Sequence, residues 1–170
     1  MLFFNQYNEK VVKYDLLNKF KYKKSQNIPK LKYIVLSFNF NKGETKMLIP
    51  IMSALKLITL QNPTISTSSV SNISFKVRKG HPVGCNLKLR KTKANKILFK
   101  LLNNIVPKKK INFNGSLFSF KLTNSLMFSE LERNYQFFKN LPVLNIHIKF
   151  SNCSVDEFTY LIKSYKLINL

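Results

Sequence analysis

A chain of 170 residues that is 45% apolar, with 15 Phe and 7 Tyr, can bury one real core, which argues against a disordered chain, and is too short to expect a second domain. Its 29 Lys and Arg against 7 Asp and Glu give a formal charge of +22. A compact fold so charged repels itself unless a polyanion neutralises it, and the commonest such polyanion is a nucleic-acid backbone.

The elements alternate between helical and strand periods along the chain, which defines an α+β class. From Tyr7 to Phe20 the residues Val12, Leu16 and Phe20 recur at four-residue spacing, a helix with one apolar stripe. A basic connector, 21–30, leads to a strand over 32–40, with Ile34, Leu36, Phe38 and Phe40 on one face and Tyr33, Val35, Ser37 and Asn39 on the other. Residues 47–60 suit a second helix, where Pro50 is tolerated only in the first turn. The Ser- and Thr-rich run 65–70 reads as a loop or weak strand. Residues 73–79 alternate, placing Ile73, Phe75 and Val77 inward and Ser74, Lys76 and Arg78 outward. A Gly80–Gly84 turn precedes another alternating strand, with Cys85, Leu87 and Leu89 inward and Asn86, Lys88 and Arg90 outward. A third helix over 92–106 is stopped by Pro107, and a strand over 113–122 opens at Asn114-Gly115. The pattern from 126 to 140 fits neither period. Residues 143–150 form the clearest strand, with Leu144, Ile146, Ile148 and Phe150 opposing Val143, Asn145, His147 and Lys149. Ser154 with Glu157 makes a capping box for a last helix whose apolar face is Phe158, Leu161, Ile162 and Tyr165. The whole reads as a single domain, 1–170, with a helix within 4–22 and a strand and helix core over 32–165.

Strands with one apolar and one polar, mostly basic face imply a sheet covered by helices on one side and open on the other. The open face would display Lys76, Arg78, Asn86, Lys88, Arg90, Asn145, His147 and Lys149. Cations and amides on a sheet surface suit RNA phosphates, hydroxyls and base edges.

Chemistry of other kinds finds no support. Glu130 and Glu132 form a close acidic pair in a turn, and Asp156 with Glu157 belongs to the capping box. His81 and His147 have neither a nucleophile nor a carboxylate at an informative spacing, and Gly80 to Gly84 lacks the Gly-Lys-Ser/Thr ending of a phosphate-binding loop. No catalytic residue, cofactor or metal is therefore expected. Cys85 and Cys153 read as buried reduced thiols, since no CxxC or Cys/His cluster suggests zinc. The opening Met-Leu-Phe-Phe-Asn-Gln lacks the features of a signal or Arg-rich transit peptide. The most apolar run, 47–55, is closed by Lys46 and Lys56 and is too short to span a bilayer. The expectation is a protein acting where it is made, without a membrane partner. Lys far exceeds Arg (Arg78, Arg90, Arg133), and Asn, Ile and Phe are heavily used, preferences that follow the AT-rich codons of many organelles and some bacteria.

The run Gln61-Asn62-Pro63-Thr64-Ile65-Ser66-Thr67, followed by Phe75-Lys76-Val77-Arg78-Lys79-Gly80-His81-Pro82-Val83-Gly84-Cys85-Asn86-Leu87-Lys88-Leu89-Arg90, closely resembles the centre of the universal large-subunit ribosomal protein five family. There a Gln-Lys-Pro turn leads to Phe-Lys-(Ile/Val)-Arg-x-Gly-x-Pro-(Ile/Val)-Gly-Cys, a strand ending Leu-Arg and a helix closed by Pro, here Pro107. Upstream, 28–36 is similar to the family's first strand. Downstream, Phe128-Ser129-Glu130-Leu131 is similar to its Phe-Pro-Glu-Ile turn, and 144–148 to the strand before its last helix.

The resemblance implies one α+β domain, an antiparallel sheet with helices on one side, and a structural role in the large ribosomal subunit. It further implies binding to 5S and large-subunit rRNA at the central protuberance, an approach to P-site tRNA, and contacts with other ribosomal proteins, including a small-subunit protein across an intersubunit bridge. Carried over by position, Gln61, Lys88 and Arg90 stand where the family contacts 5S RNA, with Ser37, Asn39, Lys76, Arg78, Asn86, His147 and Lys149 completing the expected RNA set. Ser66, Thr67, Ser68, Ser69 and Ser71 fall in the tRNA-side loop. The sequence departs from the family at Ser37, which replaces an Asn, and at Lys88, which replaces a Thr. The tRNA-side loop lacks its usual cations, and the insertion after Pro107 is shorter. With the codon bias, the resemblance implies a mitochondrial ribosome, a plastid or AT-rich bacterium being the alternative. A free-standing RNA-binding or assembly factor is the rival function.

Overall fold

The computed structural model describes residues 6–24, 27–40, 45–74, 77–104, 112–114, 116–151 and 154–164. Helix α1 (Lys13–Lys19) continues from a π-helical turn, Asn8–Val12. Then come β1 (Leu31–Asn39), α2 (Leu48–Thr59), β2 (Thr64–Thr67), β3 (Pro82–Arg90) and α3 (Lys91–Asn104). The remainder is β4 (Asn112–Asn114), β5 (Leu117–Leu122), the short helices α4 (Ser129–Glu132) and α5 (Tyr135–Phe138), β6 (Leu144–Phe150) and α6 (Val155–Ser164). The class is α+β, with six strands in one antiparallel sheet of order β2-β3-β1-β6-β5-β4.

Strand burial follows the expected period of two. In β1, Ile34, Leu36 and Phe38 are buried and their alternates are not; β6 repeats the pattern with Leu144, Ile146, Ile148 and Phe150. In β3 the buried side chains are Cys85, Leu87 and Leu89, next to the buried Gly84. β-branched and aromatic residues at every second position give each strand one face that must leave water.

The chain divides into two compact units. The first contains residues 1–34, 89–120 and 147–170. Its core includes Val12 and Leu16 of the first helix, Ile97, Leu98 and Leu101 of α3, and Phe158 and Leu161 of α6. Phe150 meets Phe158 edge-on at 5.6 Å, and Phe20 meets Tyr160 edge-on at 5.9 Å with Lys19 Nζ 4.2 Å from the same Tyr160 ring. The capping box forms as expected: Ser154 N–H donates to Glu157 Oε2 at 2.7 Å, and Glu157 N–H to Ser154 Oγ at 3.3 Å. Of the face expected for this helix, Tyr165 and the Ile162 side chain lie outside the described set, as do Cys153 and the Pro107 stop.

The second unit contains 35–88 and 121–146. Helix α2 packs on α4 and α5 and buries Ile51, Ala54, Leu55 and Ile58. Pro50 sits in its first turn, where no intrahelical N–H partner is needed. The helix ends on Leu60 in the left-handed region (φ 57°), whose N–H still reaches Lys56 O at 2.8 Å. The stretch 126–140, without a period in the sequence, resolves into a 3-10 turn (Ser125–Met127) and two single-turn helices, pinned by buried Phe128, Leu131 and Phe138.

Two expectations need correction. Residues 113–122 are not one strand but the antiparallel pair β4–β5, registering Asn112 against Ser119, Phe113 against Phe118 and Asn114 against Leu117. Residues 73–79 do not form a strand directed at the core: the described part holds one isolated bridge, Asn72 with Val77, and Ile73 is 93% exposed. A period of two marks a buried face only where a packed layer lies against it.

Candidate nucleic-acid interface

The polar positions of β3 arise from its register. Asn86, Lys88 and Arg90 alternate with the buried Cys85, Leu87 and Leu89, and all three are exposed. Asn86 lies opposite Thr64 of β2. Thr64 Oγ1 donates to the Asn86 side-chain oxygen and, at 3.0 Å, to its carbonyl; Asn86 Nδ2 donates to Ser66 Oγ at 3.0 Å. Asn86 therefore fastens β2 to β3, and Lys88 is the outward cation beyond it in the second unit.

Ser37 and Asn39 occupy the less buried face of β1 in the same unit, Ser37 half-buried and Asn39 exposed. Gln61 is not on a strand. It follows the left-handed Leu60, half-buried, with its N–H on Thr59 Oγ1 at 3.3 Å. Asn145 is the outward residue of β6 that this unit contains.

The Ser-rich segment is one leg of a hairpin arm. Beyond the β2–β3 pairing, which shifts register between Ser66 and Thr67, Ser68 N–H donates to His81 O at 2.9 Å and Gly80 N–H to Ser68 O at 2.9 Å. Further out, Asn72 and Val77 exchange both backbone bonds, and Asn72 Oδ1 accepts from Ser74 N–H at 3.0 Å, an Asx turn. Thr67, Ser69 and Ser71 are exposed and Ser66 and Ser68 half-buried. Arg78 and Lys79 stand exposed on the returning leg, with Gly80 at φ 84° completing it. Arg78 thus belongs to the arm instead of the open sheet face. The sequence showed a loop without cations; the pairing puts two cations across from it. Lys76 lies outside the described residues.

In the first unit, Arg90 ends β3 exposed and is followed at once by α3, whose exposed residues include Lys91, Lys93 and Lys96. Lys91 takes a left-handed backbone (φ 52°) at the strand-to-helix junction. His147 and Lys149 are half-buried on the polar face of β6. His147 Nδ1 is buried and, among the described residues, meets no hydrogen-bond partner.

Sequence reading missed Thr64, because its role depends on which residue lies across from it. It also missed Lys121, exposed in β5 between buried Phe120 and Leu122, although the alternation of Phe118, Phe120 and Leu122 carried that signal. Among the described residues no group of three or more His, Cys, Asp or Glu is arranged to hold a metal ion, and no helix is long and apolar enough to cross a membrane. What the arrangement can do chemically is offer cations to phosphates and amides to base edges and hydroxyls.

No family model matches the chain, but curated relatives do. It is 33% identical over 133 residues to the large ribosomal subunit protein uL5 of Thermosipho melanesiensis, covering 72% of this chain and 73% of that one. The uL5 of Geotalea uraniireducens is 30% identical over 170 residues, covering 94% and 93%. The uL5m of Reclinomonas americana is 28% identical over 151 residues, covering 82% of each. These relatives, with the fold and its cation-bearing strands, define the class: a structural constituent of the large ribosomal subunit. The identity extends over enough of both chains to go further, and the chain belongs to the uL5 family.

Proposed function

We propose that the chain binds ribosomal RNA with the outward positions of its strands and contributes no catalysis and no cofactor chemistry. In one unit the contact set is Ser37, Asn39, Gln61, Arg78, Asn86 and Lys88, with Lys76; in the other it is Arg90, His147 and Lys149. The observation that carries the reading is β3, where Asn86, Lys88 and Arg90 are all exposed while Cys85, Leu87 and Leu89 are buried. A net charge of +22 makes a polyanion the fitting occupant.

In finer terms, 5S rRNA sits against Gln61, Lys88 and Arg90, and large-subunit rRNA takes the remaining positions. The arm bearing Ser66, Thr67, Ser68, Ser69 and Ser71 extends toward P-site tRNA, and another surface meets a small-subunit bridge protein. The mitochondrial ribosome is the setting, supported by the AT-type residue usage and by a relative named uL5m.

Sedimentation at moderate and high salt, followed by sequencing of RNA crosslinked to the chain, tests this. Co-migration with the large subunit and crosslinks to 5S RNA near Gln61 and Arg90 are expected. Migration free of ribosomal particles would favour an assembly factor instead. Arg90→Ala is expected to cost about 1–3 kcal/mol of RNA affinity, the worth of a bidentate contact; an unchanged affinity removes Arg90 from the set.

A further inference from the structure

Within the second unit, the end of β1, the exit of β5 and the entry to β6 leave a cleft of about 630 Å3. Its polar lining is three carboxamides and one ammonium, from Asn39, Asn140, Asn145 and Lys121, and its apolar lining is Phe40, Met47, Pro142 and Val143. Asn39, Lys121 and Asn140 are exposed, while Phe40 is buried. Among the described residues none of the four polar side chains is held in a hydrogen bond. Among the described residues the lining contains no carboxylate.

Each of these facts narrows the occupant. The volume falls in the ~300–1,000 Å3 range of sites for small organic groups. The Lys121 ammonium favours an anionic group. Each carboxamide offers paired donors and an acceptor, the combination that matches a base edge, while apolar lining suits the flat face of a ring. A base in an A-form duplex presents neither its face nor its Watson–Crick edge, so only an unpaired one fits.

We infer that this cleft receives one unpaired nucleotide of the bound RNA. Its base lies against the apolar lining at Pro142 and Val143, Asn39 and Asn145 bond its edge, and Lys121 neutralises its phosphate. The inference rests on the reading of the chain as an RNA-binding protein, and adds to it a site that holds a single extruded residue instead of a helical backbone.

The test uses the full chain and RNA extracted from the large subunit that carries it, with affinity measured across a salt series. Asn39→Ala and Asn145→Ala are expected to weaken binding roughly three- to tenfold each, a hydrogen bond's worth, without changing the salt slope. Lys121→Met is expected to weaken binding and lower the slope by about one. A short unpaired oligoribonucleotide should compete better with the wild type than a duplex of equal length, and lose that advantage with Asn145→Ala. If both Asn variants bind like wild type while Lys88→Ala and Arg90→Ala weaken, the cleft is empty of RNA and the inference fails alone. If Lys88→Ala and Arg90→Ala also leave affinity unchanged, the RNA-binding reading fails with it. A duplex that competes as well as the unpaired strand overturns the extruded nucleotide.

Discussion

Gly84 shows how closely single atoms set the spacing of the strands. A Cβ built there would stand 2.2 Å from Phe38 O, 3.0 Å from Asn39 Oδ1 and 3.1 Å from Asn39 Cα. The first and last of these are backbone atoms and cannot swing aside, so Gly84→Ala must push β3 from β1 where Phe40 N–H donates to Val83 O at 3.1 Å. Overpacking commonly costs ~1–3 kcal/mol. Because backbone is what gives way here, the loss belongs at the upper end, about 2–3 kcal/mol, read as a lower urea midpoint at constant slope. A midpoint equal to wild type would mean the two strands are not so close. Beside it, Cys85 is a free thiol with no exposed surface, and its burial raises its pKa above the usual thiol value. The thiolate is the reactive form, so raising the pKa lowers reactivity at any working pH. Iodoacetamide at pH 8 is expected to leave Cys85 unmodified in the native chain and to label it in denaturant; rapid native labelling would contradict its burial. That Cys85 is buried was legible from its place in an alternating strand. That Asn86 is clasped by Thr64 and Ser66 was not, because a hydrogen bond across 22 residues follows from register, which no local pattern supplies.

At the scale of elements, β1, β3, β6 and the α6 capping box were legible because each is specified by its own residues: a period of two, or a Ser and Glu three apart. The arm was not. Alternation at Ile73, Phe75 and Val77 mimics a half-buried strand, yet Asn72 pairs with Val77 and Ile73 lies in solvent. The segment 126–140 failed for a different reason: helices of four residues are shorter than one helical repeat of the apolar pattern, so no period can develop. The arm's pairing has a functional consequence. Its outgoing leg, with Ser68, Ser69 and Ser71, is uncharged, while Arg78 and Lys79 stand on its return. If the arm meets phosphates, it does so with the return leg. Replacing Arg78 and Lys79 together by Ala is expected to lower the salt slope of RNA binding by about one to two. Replacing Ser69 and Ser71 by Ala is expected to leave the slope unchanged. A slope altered by the Ser variants and not by the cation pair would assign the phosphate contact to the wrong leg.

For the whole molecule, charge makes salt act on the free and bound chain with opposite sign. The free chain carries +22, and mutual repulsion among the like charges works against the compact state. Raising ionic strength from 10 mM to 100 mM shortens the screening length from ~30 Å to ~10 Å, which relieves repulsion between distant lysines while short-range packing is untouched. The free chain is therefore expected to melt at a higher temperature at 100 mM salt. Binding to RNA responds the other way. Each phosphate neutralised releases condensed counterions, and each contributes ~0.7–0.9 to the fall of log affinity with log salt. In the complex, RNA supplies the countercharge that salt supplies to the free chain, so a tightly bound chain should gain little stability from added salt. Two melting curves of the free chain and two of its RNA complex, at the two ionic strengths, read both effects at once. A free chain indifferent to salt would show that its charges are spaced widely enough not to need a partner, and the charge argument for a polyanion would lose its force. A large rise for the free chain beside a flat or falling response for the complex is the outcome expected of a protein whose surface charge is matched to RNA.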